Sequence, residues 1–118
     1  MTSPIDIDAA SEPYGITAED IDRQPDATRL DVRRGAVFSE ATALVPGAHW
    51  RDPADVLAWQ PALPRDRPVV VYCVHGHAVS RGVVLQLRAA GIEAWFLRGG
   101  IEGWQAAGRP IQAKGAAS

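Results

Sequence analysis

The feature that most constrains this chain is the run Pro68-Val69-Val70-Val71-Tyr72, which ends on the sole cysteine of the sequence, Cys73. Three β-branched residues followed by an aromatic favour extended backbone. The run is apolar at every position rather than at alternate ones. It therefore predicts a strand buried on both faces, as in a parallel sheet covered by helices. A second pattern follows at once: Val79, Val83, Val84 and Leu87 recur at helical spacing, and Gly91 suits a helix stop, so residues 79–90 are predicted to be helical. Residues 92–97 form the next strand candidate. Gly99-Gly100 then turns the chain into a short last helix that contains Trp104 and stops near Gly108 and Pro110.

Upstream, Thr17-Ala18-Glu19-Asp20 reads as a capped helix start, with Thr17 as N-cap and Asp20 in the first turn. Residues 28–32 form a short strand candidate, and Val45-Pro46-Gly47-Ala48-His49 a turn leading into a short extended piece. Asp52-Pro53 opens another helix: Asp52 caps it, Pro53 takes the first helical position, and Val56, Leu57 and Trp59 supply an apolar stripe. Strands alternating with helices imply βαβ units. The expected fold class is thus α/β, a three-layer domain whose small, mostly parallel sheet carries helices on both faces. A chain of 118 residues makes one domain. Its expected extent is residues 14–111, between flexible termini at 1–13 and 112–118.

Composition removes several function classes. Apolar residues make up 47% of the chain and charged residues 22%, the mix of a globular domain. Twelve basic against fourteen acidic side chains leave a formal charge of -2, without the basic footprint of a nucleic-acid binder or of a polybasic membrane-surface protein. One cysteine cannot form an internal disulfide, a CxxC redox pair or a zinc site needing two thiolates. The longest apolar run, residues 69–74, is far short of a membrane span, and the polar N-terminal stretch has no secretory h-region. The expected compartment is the cytoplasm.

The candidate chemistry sits at Cys73. In an open α/β sheet, ligands bind beyond the carboxyl ends of the strands. Cys73 falls at such an end, and Val74-His75-Gly76-His77-Ala78 leads from it into a helix. Loop N–H groups and the helix N-terminus together make an anion cradle, which lowers a thiol pKa and frees the thiolate near neutral pH. Without that context, a lone cysteine is more often an inert core residue.

Three separated motifs now resemble the rhodanese family over about residues 16–111. Leu30-Asp31-Val32-Arg33 resembles its first-strand signature. Cys73-Val74-His75-Gly76-His77-Ala78 resembles its six-residue active-site loop, with Cys first and Gly fourth. Leu97-Arg98-Gly99-Gly100, followed by Trp104, Gly108 and Pro110, resembles its closing pattern. The chain departs from the family at Ala43-Leu44-Val45, where Gly-His-Ile is usual ahead of Pro-Gly-Ala. It departs again at His75 and His77, where many relatives carry Arg or Lys. The resemblance implies a sulfurtransferase: Cys73 takes sulfane sulfur from a donor such as thiosulfate, holds it as a persulfide, and passes it to cyanide or a thiol. The implied partners are small-molecule sulfur donors and acceptors, with a protein acceptor as a further case, and no cofactor or metal is implied. The loop suits that chemistry, because a cradle of N–H donors stabilises an anionic sulfur.

The neighbouring residues carry two readings each. Arg33 either faces the same mouth of the sheet as Cys73 or pairs with a nearby carboxylate. Asp31 is expected to be structural. Arg81, near a helix start where a cation is unfavourable, is expected to meet a carboxylate or substrate, or else solvent. His75 and His77 either do nothing specific or, when protonated, hold an anionic donor, in which case thiosulfate affinity weakens above about pH 7. A metal held by Cys73, His75 and His77 is disfavoured, since residues this close on a tight loop rarely orient into a tetrahedral site. A phosphatase or arsenate reductase needs Cys-x5-Arg, so that a guanidinium can grip the oxyanion, and here that place holds Val79. The alternative outside enzymology is a sulfur-carrier or interaction module that takes sulfur from a partner and turns over poorly on thiosulfate. The four tryptophans are scattered, and they suit packing rather than a binding platform.

Overall fold

A computed structural model describes residues 13–114. Its centre is a five-stranded sheet in the order β1-β6-β5-β2-β4, with every neighbouring pair parallel. The strands are β1 (Gly15–Ile16), β2 (Thr28–Asp31), β4 (His49–Trp50), β5 (Val69–Tyr72) and β6 (Ala94–Leu97). Strand β5 is the middle one and all four of its residues are buried, as its unbroken apolar run requires. Val69 and Val71 pack on one face with Val83, Val84 and Leu87. Val70 and Tyr72 pack on the other with Ile21, Ile101 and Trp104. The three-layer α/β domain expected from the sequence is the fold observed.

The helices are α1 (Ala18–Asp22), α2 (Gly35–Glu40), α3 (Val56–Trp59), α4 (Ala78–Ala89) and α5 (Gly100–Ala106). Thr17 caps α1 in a full capping box, its hydroxyl accepting from the Asp20 amide while the Asp20 carboxylate accepts from the Thr17 amide. Asp52 accepts from the Ala54 amide at 2.9 Å, as its capping role demands. The expected stripe beyond it is corrected at Leu57, which is 81% exposed. A 3-10 turn over Pro53–Asp55 precedes the four residues of α3, and only Val56 and Trp59, three apart, face inward.

Helix α2 and strands β1, β3 (Ala43–Leu44) and β7 (Gln112–Ala113) carry no signal in the sequence. Helix α2 carries no clear apolar period; Phe38 anchors it by stacking on Trp50 at 5.2 Å. Strands β3 and β7 pair antiparallel. The flexible C-terminus expected from residue 112 is corrected for Gln112 and Ala113, which are tied to β3; Lys114 Nζ also bonds the Phe38 carbonyl and, at 3.1 Å, that of Ser39. The expected loose segments at 1–12 and 115–118 lie outside the described residues. Among the described residues no helix is long and apolar enough to cross a membrane.

One buried polar network joins the layers. Tyr72 donates its hydroxyl to Asp31 Oδ2 at 3.0 Å and accepts from the Val45 amide at 3.1 Å. Burial, and next the Asp31 charge, push the tyrosine's ionisation far above its ordinary range, so the hydroxyl remains a neutral donor. Tyr72→Phe leaves the Val45 amide and one Asp31 lone pair without partners, and is expected to cost about 2 kcal/mol in urea unfolding with an unchanged m-value. A cost below about 0.5 kcal/mol would mean that the network relaxes around the gap.

Candidate active site

Because the sheet is parallel, the segments after β2, β5 and β6 emerge at one end. Cys73 follows the last residue of the central strand and is 6% exposed. It opens into a mouth of about 300 Å³, lined with Val74, His75, His77 and Ala78 of its own loop and with Arg33 from the end of β2. Arg34, Val37 and Val79 complete the wall. The loop, its cysteine and Arg33 thus lie around one mouth.

Gly76 has another part. Its φ is +74°, and a Cβ there would meet the Leu97 carbonyl and the Gly99 amide at 2.8 Å each. It therefore forms the underside of the loop, against the β6–α5 turn, rather than the wall of the mouth. The same turn holds the loop from below: the Ile101 amide donates to the Cys73 carbonyl and the Glu102 amide to the Val74 carbonyl, each at 3.0 Å. The closing Gly99-Gly100 pair, which reads in sequence as a turn, is a buttress of the cysteine loop.

The sulfur itself is partnered. Cys73 Sγ lies 3.2 Å from Ser80 Oγ, on the inward face of the first turn of α4. Burial works to raise the thiol pKa, and this is the largest single influence. The Ser80 hydroxyl and the backbone N–H groups of Ser80, His77 and Gly76 together outweigh it, and the net shift is downward. The amides at work are thus Gly76 and His77 of the expected cradle plus Ser80 beyond it. Sequence reasoning missed Ser80. The available signal was a hydroxyl at a core position, since Ser80 stands at helical spacing with Val83, Val84 and Leu87 and is fully buried.

The cations are arranged differently from the sequence expectation. Arg33 does reach the mouth, but its Nε and Nη2 are bound to Asp31, which is fully buried, and its Nη2 also donates to the Ala43 carbonyl at 2.9 Å. Both of its readings are observed together: it lines the mouth, and its guanidinium is paired with Asp31, where its charge is largely spent. Asp31 also accepts from the Arg33 amide at 3.0 Å, in a structural role. Arg81 is half-buried on α4, nearly a turn past Ala78, and does not line the mouth. His75 Nδ1 faces Glu102 Oε1 at 3.2 Å, while the His75 and His77 rings stand 6.1 Å apart. Among the described residues no group of three or more His, Cys, Asp or Glu side chains is placed to hold a metal. Val79 puts an apolar wall where a Cys-x5-Arg site would need its guanidinium. Trp104 is in the core, its Nε1 donating to the Pro110 carbonyl at 2.7 Å.

Comparison with known proteins agrees with this geometry. The rhodanese-like domain profile matches residues 17–107. The chain is 34% identical over 96 residues to the thiosulfate sulfurtransferase GlpE of Actinobacillus succinogenes, covering 80% of this chain and 84% of that protein. It is 33% identical over 105 residues to a tRNA sulfurtransferase of Desulfurococcus amylolyticus, covering 86% of this chain but only 20% of that protein. A crystal structure of a rhodanese-related protein from Thermoplasma volcanium superposes with a TM-score of 0.72 at 26% identity, over 84% of this chain and 97% of the other. With its cysteine loop at the end of the central parallel strand and its profile match spanning most of its length, the chain belongs to the rhodanese-like domain family.

Proposed function

We propose that this domain is a sulfurtransferase that carries sulfane sulfur as a persulfide on Cys73. The observation that carries the reading is a thiol at the carboxyl end of the central strand, held below its ordinary pKa by hydrogen-bond donors and open to a mouth of about 300 Å³. The names of its relatives, both sulfurtransferases, support the reaction class.

In this reading sulfur moves in two steps. The Cys73 thiolate attacks the outer sulfur of a donor such as thiosulfate. A bond forms between Sγ and that sulfur while the donor's S–S bond breaks, and sulfite leaves with the electron pair. An acceptor nucleophile, cyanide or a thiol, then attacks the outer sulfur of the persulfide, and Cys73 leaves as thiolate. This is covalent catalysis with ping-pong kinetics. The Gly76, His77 and Ser80 donors hold the anionic sulfur at rest and as it re-forms.

Intact mass spectrometry before and after thiosulfate tests the proposal, with Cys73→Ser as control. A gain of about one sulfur atom that the control lacks supports it. No gain, with the thiol still open to alkylation, rules out thiosulfate as donor. One observation favours a second reading, a sulfur carrier loaded by a partner: Arg33, a cation at the mouth, is spent on Asp31, and His75 faces Glu102, which leaves a dianion weakly held. A stable persulfide with negligible turnover on thiosulfate and cyanide would favour the carrier.

A further inference from the structure

We propose that Ser80 is a state-dependent hydrogen-bond donor to Cys73 and that it governs the discharge of sulfur to the acceptor more than the loading of Cys73. The inference rests on the persulfide reading above and adds a residue to it. In the structure the Cys73 thiol donates to Ser80 Oγ at 3.2 Å and the Ser80 hydroxyl donates to the His77 carbonyl at 3.4 Å; once Cys73 is a thiolate, Sγ is a second acceptor in reach of that one hydroxyl proton. Its side chain is fully buried, so no bulk water competes for that proton.

The two acceptors exchange rank during the cycle. With Cys73 as thiolate, Sγ carries full charge and takes the Ser80 proton, because hydrogen bonds to ions are the stronger ones. In the persulfide the charge sits on the outer sulfur, Sγ becomes a weak neutral acceptor, and the hydroxyl turns to the His77 carbonyl. In discharge the acceptor attacks the outer sulfur, the S–S bond breaks, and its electron pair returns to Sγ. Charge then grows on an atom 3.2 Å from a hydroxyl that need only rotate to meet it. That interaction is stronger in the transition state than in the ground state, so it accelerates the step. In loading the charge moves away from Sγ. The same bond favours the thiolate before reaction and lowers its nucleophilicity, so the two effects on rate oppose each other.

Ser80→Ala and Ser80→Thr, in the full chain, test this. The probes are thiosulfate for loading, cyanide for discharge, and iodoacetamide for thiol ionisation. The other charged and titratable groups about the sulfur stay the same in all three proteins: His75 and His77 on the loop, Arg33 with Asp31 at the end of β2, and Arg34 at the start of α2. Ser80→Ala is expected to raise the pH midpoint of Cys73 alkylation. Single-turnover discharge should slow about 10- to 100-fold, with loading above both midpoints changed less than about 3-fold. Ser80→Thr keeps the hydroxyl and should restore discharge. Equal slowing of both half-reactions, or unchanged discharge in Ser80→Ala, would overturn the proposal. If the parent chain never acquires sulfur from thiosulfate, the function reading fails for that donor. The alkylation midpoint still judges the Ser80 bond in that case, and an unmoved midpoint refutes it.

Discussion

Cys73→Ser is expected to lose sulfur transfer by about 10⁴-fold while remaining folded. The loss is large because no other side chain can take the role. Cys73 is the sole thiol in the sequence, and a serine hydroxyl ionises too weakly to attack a sulfane sulfur or to leave from one. Stability is expected to change little. The substitution exchanges one sulfur for a smaller oxygen, and the new hydroxyl stays within reach of Ser80, whose oxygen lies 3.2 Å from the present sulfur. Steady-state assay of thiocyanate formation, paired with a urea melt, separates the two effects. A variant that retained transfer at a tenth of the parent rate or better would show that sulfur does not pass through Cys73.

What the sequence discloses here follows the length scale of each signal. Strand β5 and helix α4 are long enough to display their periods, and the cysteine between them is marked by the change of period itself. The capping residues Thr17 and Asp52 act within three positions of themselves and were equally legible. Strands β3 and β7 have two residues each and no period to show, and they pair across most of the chain. Helix α2, which brings Val37 to the mouth, is held by Phe38 on Trp50, a contact no local rule announces. At the site, the loop was legible as a cradle, but which amides converge on sulfur was not. The burden falls on Gly76, His77 and Ser80 because the loop brings the first turn of α4 against the sulfur, with Ser80 Oγ 3.2 Å from it. Arg33 shows the limit of residue-type reasoning. A guanidinium at a strand end suits a substrate or a carboxylate equally, and only the packing of Asp31 beside it settles that it is largely neutralised.

Gly100→Ala is expected to destabilise the fold by about 4 kcal/mol, a fall in Tm of about 15 °C or more. Two costs add. The φ of +59° is one that an L side chain adopts only with strain. A Cβ at this position would also run into the carbonyl oxygen of Val74 and come within 2.5 Å of that of Cys73. Backbone cannot swing aside like the end of a side chain. These carbonyls also accept from the Ile101 and Glu102 amides at 3.0 Å, so the loop would have to lift off α5 and break both bonds. Gly47→Ala separates the two costs. Its φ is +80°, yet nothing lies within 4 Å of the added carbon, so it should lose only about 1 kcal/mol. Equal losses in the two variants would mean that the dihedral alone is responsible and that the loop yields freely. If instead Gly100→Ala loses far more, the cysteine loop is held by backbone contact with the β6–α5 turn. The folded fraction of that variant should then also show slower alkylation of Cys73 at neutral pH, because lifting the loop withdraws the Gly76 and His77 amides from the sulfur.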